Sequence, residues 1–417
     1  MDLAIKDAKL LSRGEEVIRN IYILNGKINK ITDRRIRSKK MIDAKENFVI
    51  PGAIDPHVHF REPGLTYKED FCTGSMAAAA GGITTVFDMP NTVPPTLTYF
   101  DIEEKRFLAK KSIVNYGFYI GASKDNIGEI KKANHDANLP IPGTKLFMNL
   151  STGKMMMEDR DIIRQVFRNS KLVAVHAEGP KVEEAIQYAI KTGTKLYLCH
   201  ISAADEIETI KRYRDESEWV ARNVFVEVTP HHLFLTEKDH HEQGAFAKMI
   251  PSLKTKKDQA ALWNAIADGT VDTIGTDHAP HTIEEKKAKE NPPGGIPGEE
   301  TMLPLMLDAM NRGRLTMERI VEMTSKNPAR IFCMRNKGRI AEGCDADLTI
   351  IDMNMFGEVR NGDLRTRCNW SPFNGWKLKG WPVVTIVNGR VVFDHGKIYK
   401  NQGKEVVFRG RTDGRAD

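Results

Sequence analysis

The chain has 417 residues, 41% of them hydrophobic, and a formal net charge of +6. That length exceeds one small domain and suits a large barrel with a modest second domain. The charge is spread along the chain, and lysine pairs such as Lys39-Lys40 and Lys286-Lys287 read as solvated surface, so the composition excludes a nucleic-acid binder.

Five cysteines at scattered spacing give no disulfide framework and point to a reducing compartment. The first residues, Met1–Lys6, show no signal-peptide pattern, and no apolar run is long enough to span a membrane. The expectation is a cytoplasmic protein with no membrane partner.

Residues 1 to about 50 read as short strands: Asp2–Ile5, Glu16–Ile23 and Lys27–Ile31, the last pair joined by Asn25-Gly26. Asn-Gly between apolar segments is a strong hairpin signal. The far end repeats the pattern, with Leu348–Ile351, Val383–Val387, a second turn at Asn388-Gly389, and Val391–Phe393. Neither piece can bury a core alone. We therefore expect one β domain built from residues 1–50 and 340–417, with a second domain across 51–339.

Between the ends, apolar runs alternate with helical segments. The runs are Ala53–His59, Thr84–Asp88, Tyr116–Ile120, Thr144–Phe147, Leu172–His176, Leu196–His200, Phe225–Thr229 and Thr273–Asp277. Lys68–Ala80, Pro180–Lys191, Ala203–Tyr213 and Asp258–Asp268 are among the helical stretches, and Thr236–Gly244 reads as polar loop. Eight β-α units predict an α/β fold, a TIM-type (β/α)8 barrel, whose chemistry sits at the C-terminal ends of the strands. An open doubly wound sheet is the rival, but no G-x-G-x-x-G follows the first strand.

The ends of these runs carry the chemistry. Strand one closes on Asp55-Pro56-His57-Val58-His59-Phe60-Arg61. Alternation puts His57, His59 and Arg61 on one face: half of a metal site, with a guanidinium placed to hold an anion beside it. An H-x-H pair alone is a weak signal. Further ligand types at later strands strengthen it: Lys145 on strand four, His176 on five, His200 on six and Asp277 on eight.

Imidazole and oxygen donors suit zinc, and six such residues exceed one tetrahedral site, so two metals fit better. Two cations need a bridging anion. A protonated lysine has no acceptor, but a lysine carbamate has two oxygens. A metal-bridged water is acidified from about 15.7 towards 7, which gives hydroxide at neutral pH. Asp277 can then take its proton and pass it to a leaving nitrogen.

These stretches resemble the amidohydrolase superfamily and, within its cyclic amidases, the dihydroorotase family. The resemblance rests on His57–Gly64, Asp88-Met89-Pro90-Asn91-Thr92, Gly143-Thr144-Lys145-Leu146-Phe147, His176-Ala177-Glu178, His200-Ile201-Ser202, Val228–Leu233 and Thr276-Asp277-His278-Ala279-Pro280-His281. Gly295–Thr301, Gly338–Asp347 and Ser371-Pro372-Phe373 extend it over nearly the whole chain.

The resemblance implies two zinc ions per chain, bridged by carboxylated Lys145 and a hydroxide. His57, His59, His176 and His200 would complete the ligands, with Asp277 both ligand and general acid/base. The implied small-molecule substrates are N-carbamoyl-L-aspartate and L-dihydroorotate, interconverted in pyrimidine synthesis. His59, Arg61, Asn91 and His281 match substrate-binding positions, the last three holding the carboxylate, and Gly294 and Gly295 fall where backbone contacts the ring. One position departs: Ile250 stands where the family has a polar Asn or Arg, and nearby Lys254 is a candidate replacement.

Other residues read as structural. His231 and His232 read as loop packing, and His240-His241 as solvated loop. Gly81-Gly82 reads as a helix end. Cys199 and Glu227 match residues that hold an additional zinc in some relatives, but alternation turns Cys199 away from His200 and into the core. Two rival functions stand beside the first: another cyclic amidase such as dihydropyrimidinase or allantoinase, which lacks the Arg61–Asn91 pair, and a non-catalytic scaffold of the same fold. The oligomeric state is left open, a homo-oligomer included.

Overall fold

The computed structural model of the chain describes residues 1–12, 14–136, 139–150 and 155–408. Five strands come first: β1 (Leu3–Ser12), β2 (Glu15–Leu24), β3 (Lys27–Thr32), β4 (Lys40–Asp43) and β5 (Phe48–Pro51). Nine short parallel strands follow: β6 (Ala53–Val58), β7 (Ile83–Asp88), β8 (Asn115–Phe118), β9 (Ile120–Gly121), β10 (Thr144–Phe147), β11 (Leu172–His176), β12 (Lys195–Leu198), β13 (Val224–Val228) and β14 (Thr273–Ile274). The last four are β15 (Leu348–Glu358), β16 (Lys377–Val387), β17 (Arg390–Asp394) and β18 (Lys397–Ile398).

Both chain ends share one sheet, ordered β18-β17-β16-β15-β5-β1-β2-β3, with β4 beside β1. Its seam is the antiparallel pair β15–β5, with Leu348 opposite Pro51 and Ile350 opposite Val49. Leu3, Ile5, Ile21, Ile23, Leu348, Ile350, Val384 and Ile386 form its buried face, so side chains distant in sequence bury one another. Both Asn-Gly turns form hairpins, with positive φ at Asn25 and Gly26 (52° and 77°) and at Asn388 and Gly389 (51° and 76°).

The parallel strands form the barrel. β6, β7 and β8 pair in order, as do β9 to β14. The third apolar run is split at Tyr119, whose N–H donates to Asp88 O at 3.1 Å, and the ring closes where His59 N–H donates to His278 O at 2.8 Å. Its strands are buried on both faces, which is why they read as continuous apolar runs.

A helix follows each unit, from Phe71–Ala80 after β6 to Glu299–Asn311 after β14. Asp70 starts the first by accepting from the N–H groups of Cys72 and Thr73. Gly81 caps its C-terminus, where a Cβ would lie 2.0 Å from Glu299 O.

Two readings change. Thr236–Gly244 is not loop: a helix spans Glu237–Gln243, because Asp239 accepts from Thr236 N–H and Oγ1–H in a capping box. Residues 403–406 run beside β8, where Tyr116 N–H donates to Lys404 O and Val406 N–H to Tyr116 O. Phe408 then packs on Phe87 inside the barrel at 5.2 Å between ring centroids. Residues 409–417 of the expected β domain lie outside the described residues.

Candidate metal centre

His57 and His59 leave the end of β6 with both imidazoles turned to Asp277. His57 Nε2 lies 3.3 Å and His59 Nε2 3.0 Å from the same Asp277 Oδ1. The far nitrogens are already engaged. His57 Nδ1 faces Glu227 Oε1 at 2.8 Å, and His59 Nδ1 faces Asn91 Oδ1 at 2.6 Å. With the hydrogen on Nδ1 in a neutral ring, each Nε2 would turn a lone pair toward the Asp277 oxygen. That donor set suits a cation, and with no ion between them a ring proton donated to Asp277 joins the same atoms.

Glu227 is fixed in turn by Tyr197 OH at 2.8 Å and His200 N–H at 2.9 Å. A carboxylate that orients a ligating imidazole is a regular companion of metal sites.

His176 and His200 form the second pair. Their Nδ1 and Nε2 atoms face each other at 2.8 Å, leaving His176 Nε2 and His200 Nδ1 buried without a hydrogen bond. The nearest acidic atom to His176 Nε2 is Glu178 Oε1, at 3.6 Å. The His57 ring lies 5.4 Å from that of His200, so the two pairs adjoin.

Electrostatics agree with a ligand role. Burial holds His176 and His59 below the ordinary imidazole range, His59 at about 3, and His200 far below it. Metal binding requires this neutral form. His57 is the exception: burial pulls it down, but Glu227 and Asp277 outweigh that and hold it at about 10. Burial pushes Asp277 up, but His57, His59 and His200 hold it well below the usual carboxylate range.

Lys145 is wholly buried rather than snorkelling. Its Nζ donates to Cys199 Sγ at 3.1 Å, and no carboxylate lies within ion-pair distance among the described residues. This corrects the reading of Cys199. His200 has φ of 39°, a left-handed turn that breaks the alternation, so Cys199 and His200 both face inward. His57, Cys199 and Glu227 form one group able to hold a metal ion, and His57, His59 and Asp277 another. The residues present thus fit a multi-ion centre.

Arg61 is not on the strand. β6 ends at Val58, and Arg61 turns at φ of 64°. Arg61 is 2% exposed, with Nε donating to Pro280 O at 3.2 Å and NH2 lying 3.2 Å from His281 Nε2. The rim acids that could have occupied it are taken elsewhere: Glu62 by Lys111, and Asp70 by Arg367 and Lys111. Among the described residues no carboxylate is within ion-pair distance of this buried cation.

His281 receives Lys68 Nζ at Nδ1 (3.2 Å) and turns Nε2 to Gly294 O (3.1 Å). Burial and the Arg61, Lys68 and Lys286 cations hold it neutral. Gly295, at φ of 131°, packs on the same ring, where a Cβ would sit 3.2 Å from His281 Cδ2. Asn91 reaches the site through His59.

At the departing position, Ile250 lies against Gly294, 2.9 Å from where its Cβ would be. Lys254 Nζ is 3.6 Å from Glu178 Oε2.

His231 and His232 are not loop: they lie in the buried Pro230–Phe234 helix, started by Pro230 and Thr229. His231 Nε2 has no partner. Asp55 was passed over, yet it accepts from His57 N–H and Thr276 N–H and so ties the first strand to the eighth.

The sequence of the Amidohydrolase family matches residues 48–392. A dihydroorotase of Methanothermobacter thermautotrophicus is 36% identical over 431 residues, covering 97% of each chain. A dihydroorotase of Pyrococcus furiosus is 37% identical, covering 94% of this chain and 93% of its own. Among solved structures, an L-hydantoinase (dihydropyrimidinase) from Arthrobacter aurescens superposes with a TM-score of 0.90 at 30% identity, covering 97% of this chain and 99% of that one. Fold, site and sequence agree, and the chain belongs to the amidohydrolase family.

Proposed function

We propose that the chain is a dihydroorotase, a cyclic amide hydrolase that interconverts N-carbamoyl-L-aspartate and L-dihydroorotate. The observation that carries this is Arg61, a buried guanidinium beside the metal-type cluster with no carboxylate of its own. A buried cation without a counter-charge is costly, and an acidic substrate supplies the missing charge. Dihydroorotate carries such a carboxylate on its ring. The two dihydroorotases at 36% and 37% identity support the same reading.

His57, His59, His176, His200 and Asp277 would hold two zinc ions, and a carbamate on Lys145 would bridge them. The burial of Lys145 without an acidic partner among the described residues supports this, since its neutral amine and carbon dioxide would give a carbamate anion, with loss of a proton, whose two oxygens suit two cations. Bound zinc supplies an acidified water and a Lewis acid for the ring carbonyl. The chain's own residues do the rest. Asp277 takes the proton of the attacking water and delivers it to the ring nitrogen as the C–N bond breaks. Glu227 and Asn91 fix the rings of His57 and His59. Arg61, with Asn91 and His281, holds the substrate carboxylate.

The L-hydantoinase likeness favours a second reading, hydrolysis of an uncharged ring. Metal-replete protein supplied with L-dihydroorotate, hydantoin, dihydrouracil and allantoin in parallel separates them. Preferred turnover of dihydroorotate supports the proposal; preference for an uncharged ring overturns it.

A further inference from the structure

Lys286 was expected on the surface with Lys287, yet it is 1% exposed while Lys287 is open to solvent. Its Nζ donates to three backbone carbonyls: Gly295 O at 2.8 Å, Pro293 O at 3.0 Å and Lys248 O at 3.1 Å. Among the described residues it makes no ion pair with a carboxylate. The Trp370 ring covers it, with Nζ 5.4 Å from the centroid, and Trp370 Nε1–H donates to His281 O at 2.7 Å. Burial, with Lys248 nearby, pushes the Lys286 amine down to about 7. Keeping a cation there costs stability, and a lysine serving only as filler is replaceable by methionine.

The three carbonyls belong to two segments that meet at the site. Gly295 N–H donates to Lys248 O at 3.0 Å, Gly294 O accepts from His281, and Ile250 lies against Gly294. An ammonium has three donors and no acceptor, so a triangle of carbonyls saturates it.

We propose that Lys286 is a positioning residue for substrate binding: it ties Pro293 and Gly295 to Lys248, and so holds the Gly294–Gly295 backbone against His281 and Arg61. The substrate part rests on the dihydroorotase reading. Lys286 touches no reacting atom, and it acts through the backbone it holds. Charge-assisted hydrogen bonds are the strong ones, so their loss loosens both segments rather than unfolding the barrel.

The test compares full-length, zinc-loaded wild type with Lys286→Met and Lys286→Ala. Hydrogen exchange of peptides covering 246–252 and 291–298 should rise in both variants, while zinc content and the exchange of β11 and β13 stay unchanged. KM for dihydroorotate should rise about tenfold, with kcat within about threefold. Propylammonium added to Lys286→Ala should restore part of the protection and lower KM again, which no general packing role predicts. Unchanged exchange and KM in Lys286→Met would overturn the proposal. So would loss of zinc, or a uniform rise in exchange across the barrel. The exchange experiment needs no substrate. If wild type does not turn over dihydroorotate, the functional reading fails while exchange still decides whether Lys286 holds the loop.

Discussion

Arg61 and Lys145 are buried cationic side chains with no acidic neighbour within ion-pair distance among the described residues. Their roles differ, and so do their tests. Lys145→Ala should bind less zinc and lose activity, with partial rescue by a small carboxylate able to bridge. Apo-protein reloaded in carbonate-free buffer should regain activity slowly, and bicarbonate should speed it. Normal activity and full zinc in Lys145→Ala would remove the bridge from the account. His176→Ala should reduce elemental zinc from about two equivalents per chain to about one. Two equivalents retained in that variant would exclude His176 as a ligand.

The ends of the first two barrel strands are tied together by a buried pair. Lys105, from the Tyr99–Leu108 helix, donates to Asp88 Oδ2 at 2.6 Å and to Met89 O at 2.8 Å. Asp88 Oδ1 accepts Phe60 N–H at 2.8 Å, between His59 and Arg61. Lys105→Met should destabilise the protein by about 3–5 kcal/mol in denaturant titration, because it strands the buried Asp88 charge. Lys105→Met with Asp88→Leu should recover part of that loss; equal destabilisation would mean that the hydrogen bond to Phe60 matters more than the ion pair.

The same elements show what the sequence carries. Barrel strands were legible because burial on both faces makes them apolar throughout, and their last residues broke that pattern with His, Lys and Asp. The Asn-Gly hairpins were legible because few residues accept positive φ. Where the backbone leaves regular geometry, side-chain direction was not legible. Alternation failed at His200 and Arg61, which have φ of 39° and 64°. Lys286 failed for a related reason: its partners are loop carbonyls of distant residues, which no local pattern announces.

At the scale of the whole molecule, two ends of the chain close one sheet, and the ends of separate barrel strands gather one centre. If bound ions span β6, β11, β12 and the end of the eighth unit, they link elements that the chain visits far apart. Chelation should therefore lower the melting temperature and make it depend on free zinc, by about 4 kcal/mol at a thousandfold excess over Kd. A melting temperature indifferent to zinc would place the ions outside the structural linkage.

In the proposed function, Arg61 reads the acid of the substrate and thereby sets which ring is hydrolysed. Each charge-assisted hydrogen bond contributes about 1.5–3 kcal/mol, so losing the clamp should cost about two decades or more in kcat/KM. The direct measurement is kcat/KM for dihydroorotate and for dihydrouracil in wild type and in Arg61→Met, at equal zinc content. The account predicts a collapse on dihydroorotate, a far smaller change on dihydrouracil, and unchanged zinc. An equal loss on both substrates would contradict it, and would make Arg61 a support of the site rather than its reader.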